Sequence, residues 1–375
     1  MTTPAWRGVN HNIYSQSTWA AGQPNAGPNY IQSDHRTLDY FASKGMNHIR
    51  LMFTMEWFQD TLSAIIPDTG NAARLAYWNA FVDTVNYATS LGMYVMIEHY
   101  GWSTIAGNTR PMWKNYLVGG ATFTNAHFAN LYTQLATYFS GNDLVGFGML
   151  NEPNNMSTMT WFSAAQAVIT AIRHTGSTAW IFVPGNGYSS WQWTSDFYDT
   201  ASPKRSSAYG WENANGLGKP LSDPRNKLIA APHIYLDDAG GSSYKINAVD
   251  GGTQANALVD RISVVVDWAK GFNTAHPTTP IKVYLGEIGY YAGATNNAGF
   301  DGNYTATTAQ TCWNNFITYL DANADVLVGF AWWAASDIGW WGDIGKARFS
   351  VTPTTSGTVY SGDTINMNMI ENTFF

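Results

Sequence analysis

A single cysteine, Cys312, rules out any disulfide within the 375-residue chain. It lies in Gln310-Thr-Cys-Trp-Asn-Asn-Phe-Ile317, a candidate helix, and reads as a buried, inert thiol. Charge is equally scarce. Asp, Glu, Lys and Arg make up 12% of the residues, against about 25% in an average domain. Nineteen Lys and Arg face 26 Asp and Glu, for a net charge of -7, which leaves no basic footprint for a nucleic acid. No run of eighteen apolar residues exists to cross a membrane as a helix. Metal-binding patterns are missing too: there is no His-x-x-x-His and no pair of cysteines. Asp237-Asp238 and Asp301-Gly302-Asn303 read as solvated turns. Pro184-Gly-Asn-Gly187 lacks both the glycine fingerprint and the lysine of a phosphate-binding loop. No metal and no cofactor is therefore expected. Met1-Thr-Thr-Pro-Ala-Trp6 runs straight into the first strand candidate without a secretory signal.

Aromatic residues are abundant instead, at 15%, with 17 Trp and 21 Tyr. A polar, weakly charged surface with many aromatic rings suits an uncharged carbohydrate. A sugar ring offers a C–H face to an aromatic plane and hydroxyls to hydrogen-bonding groups.

Eight apolar runs read as strands: 6–10, 48–53, 93–99, 144–150, 179–184, 227–233, 282–287 and 326–333. Runs without alternation are expected of strands buried on both faces. Amphipathic helical patterns lie between most of them. Leu75, Trp78, Phe81, Val82, Val85 and Ala88 keep the 3–4 spacing, as do Trp161, Ala165, Val168, Ile169 and Ile172. Leu258, Ile262, Val265, Val266 and Ala269 repeat it, and so do Trp313, Phe316, Ile317 and Leu320. Eight alternations of strand and helix predict an α/β fold closed into a (β/α)₈ TIM barrel. With no linker or low-complexity tract, residues 1–375 are expected to form a single domain. The Ser-, Gly- and Asn-rich stretch 201–223 reads as a long loop, and the tail offers only a short helix at 364–373.

Active sites of such barrels lie at the C-terminal ends of the strands. Two strands end there in a carboxylate: Gly148-Met-Leu-Asn-Glu152-Pro-Asn154 and Val283-Tyr-Leu-Gly-Glu287-Ile-Gly-Tyr290. Beside them stand Arg50, Glu98-His99, Asn151, His233, Tyr235 and Trp332-Trp333. Two carboxyl groups flanking a bond are the minimum apparatus for glycoside cleavage. One must be protonated, to protonate the departing oxygen. The other must be ionised, to attack the sugar or activate water. Arg50 and Tyr235 could hold one glutamate ionised, and mutual repulsion would raise the proton affinity of the other. Trp102, Trp191, Trp193, Trp211, Trp340 and Trp341 are candidate sugar subsites on loops.

The chain resembles the retaining glycoside hydrolases of family 5, in clan A. The likeness rests on Arg7-Gly-Val-Asn10, His99, Asn151-Glu152-Pro153, Pro184-Gly185-Asn186, His233-Ile-Tyr235-Leu-Asp237 and Gly329-Phe-Ala-Trp-Trp333, and spans nearly the whole chain. The tail Ser-Val-Thr-Pro-Thr is similar to the fungal endoglucanase branch. The resemblance implies Glu152 as acid/base and Glu287 as nucleophile, with Arg50 and Tyr235 positioning the nucleophile. It implies His99 and Asn151 at the substrate, His233 tuning the acid/base, and Trp333 as sugar platform, with Trp332 the alternative one residue away. It implies a secreted, monomeric endo-β-1,4-glucanase acting on cellulose-like polysaccharide, with no nucleic-acid or membrane partner. A mannanase or mixed glucan/glucomannan hydrolase is the nearest alternative, and a non-catalytic carbohydrate-binding barrel the more distant one. Two departures stand out. The third strand ends Ile-Glu-His where relatives often carry an aspartate two residues before the histidine. The cysteines usual in the branch are absent.

Overall fold

The computed structural model describes residues 5–14, 19–20, 23–24, 35–101, 116–236, 252–290, 292, 305–335, 351, 354–356 and 359–371. Its strands are β1 (Trp6–Tyr14), β2 (Trp19–Ala20), β3 (Gln23–Pro24), β4 (His48–Phe53), β5 (Tyr94–His99), β6 (Val145–Leu150), β7 (Ile181–Val183), β8 (Leu228–Ala230), β9 (His233–Tyr235), β10 (Lys282–Gly289), β11 (Leu327–Ala335), β12 (Thr354–Ser356) and β13 (Val359–Gly362). Its α-helices are α1 (His35–Ser43), α2 (Met55–Phe58), α3 (Ala72–Ser90), α4 (Asn125–Tyr138), α5 (Thr158–His174), α6 (Ser207–Asn213), α7 (Ala257–Ala275), α8 (Ala306–Ala322) and α9 (Ile365–Glu371).

One sheet runs β11-β1-β4-β5-β6-β7-β8-β10-β9, and pairing of β11 with β10 closes it. Every pairing in it is parallel. This is the (β/α)₈ barrel that the strand–helix alternation predicts. The sixth barrel position is shared by two short strands, β8 and β9. Pro232 between them has no N–H for the ladder, so the strand is interrupted there.

The strands are buried from both sides, which is why their sequences are unbroken apolar runs. Every described residue of β4, β5, β6, β7, β8 and β11 is buried. Trp6, Tyr94, Met96, Phe182, Ile229, Ala231, Tyr284, Val328 and Ala331 fill the interior. The Trp6 ring stacks on Tyr94 at 4.5 Å. The helices lay their apolar stripes on the outside of the sheet, and the expected positions on α5, α7 and α8 are all buried. Side-chain caps start α3 and α5: Asn71 accepts from the Ala73 and Arg74 amides before α3, and Ser157 from the Thr160 amide before α5. Cys312 is buried in α8, and burial pushes its thiol up to about 11, consistent with an inert group.

The stretch 201–223 differs from the loop expected there. It carries α6, started by Ser206, whose hydroxyl accepts from the Tyr209 amide. The short tail helix appears as α9.

Close strand contact requires glycine at position 329. Gly329 on β11 has φ 146°, and a Cβ there would lie 1.9 Å from the Trp6 carbonyl oxygen on β1. Replacing it by alanine would force the two strands apart. We expect Gly329→Ala to lose at least about 3 kcal/mol of stability. Urea unfolding would measure this, and a midpoint unchanged from wild type would contradict the close approach.

Candidate active site

Register brings the polar residues to one end of the barrel. Asn10 on β1 faces Arg50 on β4, and Glu287 on β10 faces His233 on β9. Arg50 is the hub and is fully buried. Its Nη1 donates to Asn10 Oδ1 at 2.6 Å and to Glu287 Oε1 at 2.7 Å. Its Nη2 donates to Asn151 Oδ1 at 2.7 Å and to a carboxylate oxygen of Glu98. A planar guanidinium can serve four acceptors because its N–H groups fan out in one plane. The neighbouring carboxylates outweigh burial and hold its pKa above the ordinary arginine value.

The second oxygen of Glu287 accepts from the Tyr235 hydroxyl at 2.5 Å. With Arg50 on one oxygen and Tyr235 on the other, this carboxyl group is held in one orientation. Burial, the Glu287 charge and this hydrogen bond keep the Tyr235 phenol well above its usual range, so it stays a donor. Asn10 fixes the hub from below. Its amide nitrogen donates to the carbonyls of Gly286 and Ala331, both at 3.1 Å.

Glu152 closes the site from the end of β6. Its φ of 52° is a left-handed conformation unusual for a glutamate, and such strain gathers at functional positions. Its side chain is 19% exposed, against 4% for Glu287. His233 bridges the two carboxylates: Nδ1 lies 3.0 Å from Glu152 Oε1 and 3.6 Å from Glu287 Oε2. Burial holds the His233 imidazole down at about 3, despite the pull of Glu287. It is therefore neutral at ordinary pH. A neutral imidazole can donate to Glu152 in one tautomer or accept from it in the other, so the contact survives a change in Glu152 protonation.

One oxygen each of Glu152 and Glu287 and a nitrogen of His233 lie within 4.8 Å of one another. Three such donors could hold a metal ion. Both oxygens of Glu287 already accept protein N–H or O–H groups, however, and the Arg50 cation beside them opposes a second positive charge. The set fits transfer of protons and sugars better than cation binding.

Arg50, Asn151, Glu152, His233, Tyr235 and Glu287 thus come together as expected from the strand ends. Trp333 belongs near them: a Cβ added to Gly289 would lie 3.3 Å from the Tyr235 ring and 3.6 Å from Trp333 Cβ. Trp332 faces the other way, edge-on to Trp313 at 5.5 Å, so the one-residue ambiguity falls to Trp333.

Other expected site residues lie elsewhere. His99 is fully buried, its Nδ1 accepts from the Met55 amide at 3.3 Å, and its ring packs near Phe53. Alternation along β5 turns Glu98 into the barrel and His99 away from it, so His99 does not join the group gathered around Arg50. Trp193 and Trp211 are fully buried and form an aromatic cluster with Trp268, at 5.4 and 5.7 Å. They anchor the segment around α6 instead of offering a face to sugar. Trp191 is half-buried, with the Arg261 guanidinium 5.6 Å from its ring. Trp102, Trp340 and Trp341 fall outside the described residues, as do Asp237-Asp238 and Asp301–Asn303.

Two members of the site had no assigned role in the sequence reading, Asn10 and Glu98. Asn10 sits in the Arg-Gly-Val-Asn run and Glu98 at the end of an apolar strand, so position puts both at the mouth, but only their contacts with Arg50 give them a role.

The described helices include none long and apolar enough to cross a membrane. Residues 3–336 match the family described as Cellulase (glycosyl hydrolase family 5). An endo-β-1,4-glucanase A of Emericella nidulans is 31% identical over 89% of this chain and 82% of that protein. A probable endo-β-1,4-glucanase B of Aspergillus oryzae is 27% identical over 90% of this chain and 81% of that protein. Among solved structures, XacCel5A in complex with cellopentaose has a TM-score of 0.75 and 26% identity, covering 99% of both chains.

Proposed function

Because the chain belongs to glycosyl hydrolase family 5, the cellulases, we propose that it is a retaining endo-β-1,4-glucanase in which Glu287 is the nucleophile and Glu152 the acid/base. The observation that carries the mechanism is the separation of the two carboxylates. Oxygens of Glu152 and Glu287 approach within 4.8 Å. Retaining enzymes hold their carboxyls about 5–5.5 Å apart, and inverting ones about 6.5–9.5 Å apart to admit a water.

Glu287, oriented by Arg50 and Tyr235, attacks the anomeric carbon. Glu152 protonates the departing oxygen, and its partly open position lets it reach the leaving group. Asn151, held by Arg50, stands where it can bond the hydroxyl next to the reacting carbon, a contact that strengthens in the transition state. Water, deprotonated by Glu152, then cleaves the glycosyl–Glu287 ester. His233 keeps its contact with Glu152 through both protonation states. Trp333 supplies the apolar platform under the sugar. The names of the relatives and the bound cellopentaose of the solved structure support a β-1,4-glucan substrate. A polymer of that kind is met outside the cell, so secretion, and action as a monomer, belong to the same reading.

Proton NMR of the first product from a soluble cello-oligosaccharide tests the mechanism. The β-anomer should appear first and mutarotate afterwards. Initial release of the α-anomer would establish inversion and remove Glu287 from the nucleophile's role.

A further inference from the structure

Glu98 is the carboxyl group that the reaction above does not use. It is only 1% exposed and lies on β5, facing into the barrel. The Arg50 nitrogen that donates to it also donates to Asn151, and the other terminal nitrogen of Arg50 serves Glu287. Gly148 stands opposite Glu98 on β6, and a Cβ there would lie 2.7 Å from Glu98 Oε1. The neighbouring strand thus gives up a side chain to make room for this carboxyl. One buried guanidinium answers to two carboxyl groups.

We infer that Glu98 is a positioning residue that shares Arg50 with the nucleophile, and whose charge holds the proton on Glu152 toward alkaline pH. This rests on the hydrolytic reading of the site. The charged and titratable groups facing Glu98 are Arg50 from β4, Glu287 and Tyr284 from β10, Glu152 beyond β6, and Tyr132 from α4. Burial pushes the Glu98 carboxyl up to about 7, against the pull of Arg50 and with the help of Glu287 and Glu152. In acid it is neutral, and Arg50 is committed to Glu287. Toward alkaline pH it ionises, and the site gains a negative charge. Glu152 then releases its proton less readily, because the coupling between two titrating groups is reciprocal. In acid Glu98 is protonated and neutral, so replacing it by glutamine removes no charge there and should leave the acid limb in place.

The test is kcat/KM against pH on a soluble β-glucan for wild type, Glu98→Gln and Glu98→Asp, with circular dichroism to verify folding. Glutamine still accepts from Arg50 but cannot ionise. Its alkaline limb should move down by about half to one pH unit, with the acid limb superimposed on wild type. Aspartate should restore the alkaline limb. A uniform drop in rate with both limbs in place would make Glu98 a structural residue and overturn the inference. Should Glu98→Gln fail to fold, infrared titration of Glu152→Gln protein decides. A protonated-carboxyl band lost near neutral pH supports the inference, and its absence overturns it. A wild type inactive on every β-glycan would instead overturn the hydrolase reading, while the infrared titration would still report on Glu98.

Discussion

Glu287→Gln should lower kcat/KM on soluble β-glucan by at least about 10⁴-fold, as expected when a nucleophile is removed outright. The amide keeps the shape of the side chain. Its oxygen can still accept from Arg50, and the Tyr235 hydroxyl can rotate to accept from the new NH₂ group. Arg50 remains neutralised in part by Glu98. The fold should therefore persist, and a cello-oligosaccharide should still bind, since the platform and Asn151 are untouched. Steady-state rates paired with calorimetric binding separate the two effects. Turnover within tenfold of wild type would exclude Glu287 as the attacking group. Loss of binding together with turnover would show that the charge also holds the cleft open. A barrel that merely binds carbohydrate would show no turnover to lose.

The parts of this site legible in the sequence are those set by strand parity and strand end. An apolar run that stops at a carboxylate marks both a parallel strand and its C-terminal end, which is how Glu152 and Glu287 could be paired across 135 residues. Arg50, His233 and Tyr235 follow from the same rule. What the sequence could not give is cross-strand register. Asn10 and Glu98 matter because of what lies beside them on neighbouring strands, and Arg50 gathers them from β1 and β5. His99 shows how sharp the parity rule is: one residue along β5 exchanges a side chain in the barrel for one outside it. Trp193 and Trp211 lie inside for a different reason. A large aromatic ring is as much at home in a core as on a sugar, and only the cover supplied by α6 and Trp268 sends Trp193 and Trp211 inward. That helix was itself hidden. It is a short element in a polar stretch, with too few apolar residues to show a period.

Arg50→Met should be the single change in the site that costs the fold most stability, and that cost should depend on pH. The substitution removes four hydrogen bonds and leaves Glu98 and Glu287 buried without a cation. Breaking a buried ion pair costs about 3–5 kcal/mol. The two carboxyls can relieve part of this by taking up protons. Their folded-state pKa values would then rise above those of the unfolded chain. Groups raised in this way contribute stability that is present below the unfolded value and is lost as pH rises through the folded one. The deficit against wild type should therefore be small near pH 5 and grow toward pH 8. Activity should fall by about 10²–10³-fold, because a protonated Glu287 cannot attack and Asn151 loses its anchor. Lysine would not substitute. A point charge with a flexible stem cannot span Asn10, Glu98, Asn151 and Glu287 as a planar fork does. Urea unfolding of wild type, Arg50→Met and Arg50→Lys at the two pH values measures the stability difference directly. If Arg50→Met is equally destabilised at both, the cost is one of packing alone. The guanidinium would then not be the counter-charge that holds the nucleophile ionised.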